Sequence, residues 1–270
     1  MTFDGKTQVY GILGYPVKHS LSPVFQNRAF RHFSLNAVYV PFEVKPEDFE
    51  IAFRGLKALG VKGVNITLPH KERALELADF KDSHAQAIGS ANTLKFTEEG
   101  VYAYNTDWIG FLKSVKELTP NLRDLKVLVL GAGGSARAVL YALKLEGARI
   151  FLWNRTEEKA KRLCEEFGCM HVKKPEEALE EAELIVNTTS LGLKNEDPPI
   201  FNYEELKPHH KVMDIIYRET PLLKSAKEKG CLYKDGLDML LYQGMESFRI
   251  WTGYEVPYEV VKNSVLEYII

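Results

Sequence analysis

The chain has 270 residues, 45% of them hydrophobic and 27% charged, the balance of a globular protein with apolar material for one large core or two ordinary ones. Its 35 Lys and Arg against 37 Asp and Glu leave a net charge of −2, which gives no electrostatic reason to expect nucleic acid or an anionic membrane as partner. Three Cys (Cys164, Cys169 and Cys231) are too few and too odd a number for a disulfide framework, and no second pair follows at zinc spacing. A cytoplasmic protein without a metal is the expectation.

The chain opens on a polar stretch, Met1–Lys6, that lacks the basic and apolar regions of a signal peptide. Gln8–Leu13 then reads as a strand, followed by a loop of Gly, Pro and Ser. A helix opens at Ser22-Pro23, with Ser22 as N-cap and Pro23 at the first helical position, and carries Phe25, Ala29 and Phe33 on one face. Ala37–Val44 is a second strand, and Pro46–Leu59 a helix with Phe49, Phe53 and Leu56 inward, stopped by Gly60. Val61–Leu68 is a third strand, with a helix starting near Pro69. Strands at Asn92–Phe96 and Val101–Tyr104 flank the turn residues Glu98, Glu99 and Gly100.

Thr106–Leu118 is a helix, and Thr119–Asp124 reads as a linker because Pro120 and Asn121 break both periodicities. Beyond it the alternation restarts. Lys126–Leu130 is a short apolar strand of the kind buried on both faces of a parallel sheet, followed by a glycine loop, a helix to Glu146 and a strand at Arg149–Trp153. Further strands fall at Leu184–Thr188 and Val212–Ile216, and the tail is helical over Leu237–Trp251 and Val256–Ile269. Its apolar runs, such as Met239–Tyr242, are too short to span a bilayer. The alternation as a whole predicts an α/β fold with largely parallel sheets.

Gly131-Ala132-Gly133-Gly134-Ser135-Ala136 sits between a buried strand and an amphipathic helix, the setting that a dinucleotide-binding glycine loop requires. Gly131 permits the tight turn, Gly133 lets backbone approach a pyrophosphate, and Ala136 lets the helix pack close to the strand. The free N–H groups and the dipole of the helix favour the anion. The next strand ends in Trp153-Asn154-Arg155-Thr156, with no carboxylate to hold a free ribose hydroxyl. Arg155 instead suits a 2′-phosphate, with Thr156 as cap of the following helix and Lys159 one turn on, so NADP is expected in preference to NAD. A solvated basic residue and a plain helix cap is the structural alternative.

In the first half, the loop Gly14–Pro23 follows the first strand, where open α/β sheets bind ligands, and Ser20 and Ser22 offer hydroxyls to a carboxylate. Lys71 opens a helix, where the dipole disfavours a cation, so helix stability gives no reason for it; proton transfer is one reading and a plain exposed lysine the other. His70, Asn92 and Asp107 each have structural readings: a packed histidine, a turn residue and a helix-start acid.

Taken together, Ser20-Leu21-Ser22-Pro23, the Asn65–Lys71 segment, Gly89–Thr93 and Asn105-Thr106-Asp107 with Gly110 closely resemble the signature segments of the shikimate dehydrogenase family. The resemblance runs on through Gly131–Ala138, Asn154-Arg155-Thr156, Asn187–Gly192, Asp214 with Tyr217, and Gly236–Gln243, and so covers nearly the whole chain. It implies reversible NADPH-dependent reduction of 3-dehydroshikimate to shikimate, with Lys71 and Asp107 as the catalytic pair. It implies also that Ser20 and Ser22 bind the substrate carboxylate, and that Thr67, Asn92, Tyr217 and Gln243 hold hydroxyls or close the pocket. Gly131, Ala132, Gly133, Gly134, Ser135, Asn154, Arg155, Thr156 and Lys159 would then hold the nucleotide, with the nicotinamide near Ile215, Gly236 and Met239. Such proteins join an N-terminal α/β substrate domain, here residues 1–106 with C-terminal helices 240–270 returning to it, to a Rossmann NADP domain, here 107–239. A monomer or a homodimer is expected. Two departures stand out: the short Arg218-Glu219-Thr220-Pro221 after Tyr217, and Asp238 where a small residue is common. A relative that also takes quinate, perhaps with NAD, and a non-catalytic NADP-binding regulator on the same scaffold are the competing readings.

Overall fold

A computed structural model describes residues 3–194 and 196–269; the first two residues of the polar opening stretch lie outside them. The chain divides into two compact units, Met1–Thr106 with Leu241–Ile270, and Asp107–Leu240.

The first unit is built on β1 (Gln8–Gly14), α1 (Ser22–His32), β2 (Ala37–Glu43), α2 (Phe49–Ala58), β3 (Gly63–Ile66), α3 (Lys71–Leu77), β4 (Phe80–Lys81), α4 (Ser83–Ile88), β5 (Thr93–Phe96) and β6 (Val101–Tyr104). Its six-stranded sheet has the order β2-β1-β3-β5-β6-β4 and is mixed. β1 pairs parallel with β2 and β3, whereas β5 runs antiparallel to both β3 and β6. One face is filled by Leu13, Val64, Ile66 and Leu94 against Phe49, Phe53 and Leu56. The rings of Tyr10, Phe30, Phe248 and Trp251 form a second packed group, with neighbouring centroids 4.9–5.4 Å apart. Phe25 and Ala29 of α1 are buried as their spacing predicts. Phe33 lies just past the helix end and stacks on Tyr254 at 4.8 Å.

The second unit runs α5 (Asp107–Leu118), β7 (Lys126–Leu130), α6 (Gly134–Leu145), β8 (Arg149–Trp153), α7 (Glu157–Phe167), β9 (Met170–His171), α8 (Glu176–Leu179), β10 (Leu184–Asn187), β11 (Lys211–Asp214), α9 (Pro221–Glu228) and β12 (Leu232–Lys234). All six strands are parallel, in the order β12-β11-β10-β7-β8-β9. Val127, Leu128, Val129 and Leu130 are each fully buried, Val127 and Val129 in one core cluster and Leu128 and Leu130 in another, as a central strand covered on both faces requires. Each such side chain contributes about 1.5–3 kcal/mol by leaving water, which is why this short run has no polar position inside it. α10 (Leu237–Thr252) begins in this unit and continues in the first, to which α11 (Tyr258–Ile269) also belongs.

Three expectations need correction. Residues 119–124 are no linker between units: they join α5 to β7 inside the second unit, because Leu122 is fully buried in its core and Lys211 Nζ donates to Thr119 Oγ1. Ser22 is not the N-cap of α1. Leu21 holds that position, and Ser22 is a buried first residue whose own N–H is taken by Ser20 Oγ at 3.2 Å. Thr156 does cap α7, but through its backbone position, with no side-chain cap hydrogen bond. Among the described residues no helix is long and apolar enough to cross a membrane, and no group of three or more metal-ligating side chains forms.

Candidate functional site

In the first unit a continuous chain of buried polar groups runs from β2 across β3 and the start of β5 to α10. Ser22 lies beside the phenol of Tyr39, whose pKa burial holds well above its ordinary value. Tyr39 Oη donates to Asn65 Oδ1 at 2.7 Å, and Asn65 Nδ2 donates to Ser247 Oγ at 2.9 Å and Thr93 Oγ1 at 3.2 Å. Ser247 Oγ lies 2.8 Å from Thr93 Oγ1 and 3.2 Å from Thr106 Oγ1, and donates to the Gln243 carbonyl at 3.0 Å. Asn92 then closes the chain. Its Oδ1 accepts from Thr106 N at 2.7 Å, and its Nδ2 donates to Thr106 Oγ1 at 2.9 Å and Gln243 Oε1 at 3.1 Å.

Such a network costs free energy unless its groups are paired, and pairing fixes their orientation. Asn92 and Gln243 are thereby held in defined rotamers, while Ser20 Oγ accepts from the Ser22 N–H at the start of α1. Lys71, the first residue of α3, is only 8% exposed, and its carbonyl accepts from Ala91 N at 2.9 Å, which anchors the residue preceding Asn92. Thr67 is half-buried in the turn between β3 and α3, its N–H on Leu13 O and its carbonyl on His70 N. His70 takes the structural alternative. Its ring stacks on Phe49 at 4.5 Å, with Nε2 2.7 Å from the Val44 carbonyl, deep in the core.

Tyr39, Asn65, Thr93, Thr106 and Ser247 are the members that sequence reasoning did not select as site residues. Their signals were present but faint. Asn65 interrupts an otherwise apolar strand, and Ser247 stands four residues after Gln243, on the same face of α10.

In the second unit the glycine loop lies between β7 and α6. Gly131 has φ +106, and a Cβ there would meet Thr188 Oγ1 at 2.7 Å and Thr189 Cγ2 at 2.8 Å, so both conformation and space demand glycine. At Gly133, the N-cap of α6, a Cβ would meet nothing within 4 Å, and no side chain caps the helix. The first N–H groups of α6, at Gly134 and Ser135, therefore face an open approach suited to a pyrophosphate. The Ala132 N–H serves another purpose, donating to Asn154 Oδ1 at 3.1 Å. Asn154 Nδ2 in turn donates to the Thr156 carbonyl at 2.9 Å, so Asn154 ties the glycine loop to the start of α7.

Arg155, Thr156 and Lys159 are exposed around that helix start. Glu157 in its first turn is neutralised by Lys161 at 2.9 Å, a pairing that lowers the pKa of Glu157 and leaves Arg155 and Lys159 as solvent-facing cations. Gly236 packs on Ile215 so tightly that a Cβ would collide with the Ile215 carbonyl oxygen, while Met239 and Ile215 both join the core beside β7. Just before Ile215, the fully buried carboxyl of Asp214 accepts from Asn187 Nδ2 at 3.1 Å, Ile216 N at 3.0 Å and Thr220 Oγ1 at 2.8 Å. Burial nonetheless pushes its pKa up to about 6. Tyr217 is half-buried, with burial raising its phenol, and Asp107 is the buried first residue of α5. Asp238, unexpected from the resemblance, pairs with Lys234 at 2.5 Å, which also reaches Glu117 at 2.7 Å.

Fold and site together define a two-unit α/β protein, with a dinucleotide-type parallel sheet in one unit and a buried, hydroxyl- and amide-lined constellation beside a lysine in the other. The family description "Shikimate dehydrogenase substrate binding domain" matches residues 12–94, "Shikimate / quinate 5-dehydrogenase" matches 113–214, and "Shikimate 5'-dehydrogenase C-terminal domain" matches 236–266. A shikimate dehydrogenase (NADP(+)) from Aquifex aeolicus is 56% identical, over 97% of this chain and 97% of its own, and the crystal structure of that organism's shikimate dehydrogenase superposes with a TM-score of 0.97, covering 98% and 99%. The Thermus thermophilus enzyme, solved in complex with NADP(H) and shikimate, is 35% identical with a TM-score of 0.89, covering 96% of this chain and 99% of that one. The chain belongs to the shikimate dehydrogenase family.

Proposed function

We propose that this protein catalyses the reversible, NADPH-dependent reduction of 3-dehydroshikimate to shikimate, a cytoplasmic step of aromatic amino-acid biosynthesis. The observation that carries the reading is the buried chain from Tyr39 to Gln243 in the unit that holds Lys71, in a protein 56% identical over 97% of its length to a shikimate dehydrogenase. A substrate bearing one carboxylate and several hydroxyls matches what these residues offer. Ser20 and Ser22 donate to the carboxylate, while Thr67, Asn92, Tyr217 and Gln243 hold the hydroxyls.

The glycine loop of the second unit binds the pyrophosphate through the amides opening α6, and Arg155, Thr156 and Lys159 receive the 2′-phosphate. Ile215, Gly236 and Met239 form the nicotinamide contact. When bound, NADPH supplies the hydride that reduces the carbonyl carbon. Negative charge then grows on the carbonyl oxygen. The Lys71 ammonium stabilises that charge and delivers its proton to the oxygen, with Asp107 as its partner in proton handling. In the reverse direction Lys71 takes the hydroxyl proton.

The test is turnover of the purified full-length chain with shikimate and NADP, followed through the absorbance of reduced nicotinamide, beside quinate and NAD. Turnover with shikimate and NADP well above the other three combinations supports the reading. No turnover with shikimate would replace it by a binding role, and a preference for NAD would remove the assignment of Arg155.

A further inference from the structure

Cys164 and Cys169 have no part in that chemistry, yet the fold brings them together. α7 ends at Phe167, and Gly168 follows in the left-handed conformation at φ +73. The N–H groups of Gly168 and Cys169 both return to the Cys164 carbonyl, at 2.8 Å and 3.2 Å. This is a helix-ending turn in which the two residues at these positions ordinarily close with an apolar contact. Here the two sulfurs meet, Cys169 Sγ lying directly against Cys164 Sγ. Cys164 is buried and Cys169 half-buried, which sets the pair just below the surface. No third ligand gathers around them to make a metal site among the described residues.

We propose that Cys164 and Cys169 are a dithiol site that a peroxide oxidises to an intramolecular disulfide, clasping the end of α7 to the start of β9. Donation from the Cys169 thiol favours the thiolate at Cys164. That thiolate attacks one peroxide oxygen; the O–O bond breaks, and a sulfenic acid and one water form. The Cys169 sulfur then attacks the Cys164 sulfur, the S–O bond breaks, and the oxygen leaves as a second water carrying the thiol proton. Two thiols and one peroxide thus become one disulfide and two waters.

The bond would fasten a weak edge. β9 is only two residues long and pairs on one side alone, with β8. Arg155 and Thr156 lie at the opposite end of α7, so oxidation leaves the proposed nucleotide contacts in place. The effect expected is on stability, not turnover.

The reduced full-length protein, freed of reductant and treated with hydrogen peroxide, is denatured, its free thiols are counted, and its peptides are mapped without reduction. The thiol count is expected to fall from three to one, with a mass loss of about 2 Da and a Cys164–Cys169 cross-linked peptide. Tm should rise by roughly 2–4 °C, as closing so short a loop allows. Cys169→Ser should show neither change, whereas Cys231→Ser should keep both. Three thiols surviving, a cross-link through Cys231 or between chains, or oxygen added to cysteine without cross-linking would each overturn the proposal.

Discussion

Replacing Asp214 by asparagine separates the cost of a buried charge from the value of its hydrogen bonds. The wild-type carboxyl titrates near 6 against an ordinary 3.8, with burial the dominant cause and its three donors working in the opposite direction. A folded-state pKa above the unfolded one means that the stability contribution is complete below pH 3.8 and is lost as pH rises through 6. The full difference is worth about 3 kcal/mol by linkage. The replacement amide does not titrate. It would place an N–H against Asn187 Nδ2 or Ile216 N, both of them donors to the present carboxylate, at a pH-independent cost of about 1–3 kcal/mol. The two effects oppose one another above pH 7, so Asp214→Asn should be near neutral there and clearly destabilising near pH 4. Urea unfolding of both proteins between pH 4 and 8, followed by tryptophan fluorescence, measures this directly. The wild type should lose about 2 kcal/mol relative to the variant across that range, because part of the full difference is already gone at pH 4. Parallel stability curves would show that Asp214 does not titrate as described.

Two further substitutions address the proposed binding groups. Ser247→Ala removes the hydroxyl that meets Asn65, Thr93 and Thr106, leaving a buried donor poorly paired at about 1–3 kcal/mol. Because Ser247 acts on Asn92 through Thr93 and Thr106, KM for shikimate should rise while kcat changes little; Ser247→Thr should recover part of the loss, and a fall in kcat alone would contradict a positioning role. Arg155→Ala should lower kcat/KM for NADPH by roughly 10-fold, the low end for a charge-assisted pair because Arg155 is exposed, and leave NADH nearly unaffected. Equal losses with both cofactors would mean that Arg155 does not read the 2′-phosphate.

Periodicity was most informative where a single physical demand dominates. Val127–Leu130 must be apolar at every position because the strand is covered on both faces, and Gly131 must be glycine because of its positive φ and its contact with Thr188 and Thr189. Both were legible. The edge strands were not: Phe80–Lys81 and Leu232–Lys234 are short and mostly exposed, so no alternation marks them. α9 was signalled by Thr220-Pro221, whose hydroxyl does accept from Leu223 N, but the segment read more readily as a departure near Tyr217. Ser22 misled because serine before proline at a helix start ordinarily caps, whereas here Leu21 holds the cap position and Ser22 is the buried first residue of the helix. The same long-range pairing hid the interior of the site. Tyr39, Asn65 and Ser247 lie far apart in the chain, and their shared role depends on the parallel pairing of β1 with β2 and β3. For Asn154 the sequence indicated a nucleotide contact, while its side chain is occupied in joining two loops.

The central claim is that Lys71 moves the proton of the reacting hydroxyl. Its most direct test is Lys71→Met, with kcat for shikimate oxidation measured beside shikimate affinity by equilibrium titration. Loss of the proton carrier should cut kcat by about 10²–10⁴-fold while affinity shifts far less. A variant that turns over at the wild-type rate, or that loses only affinity, would contradict it.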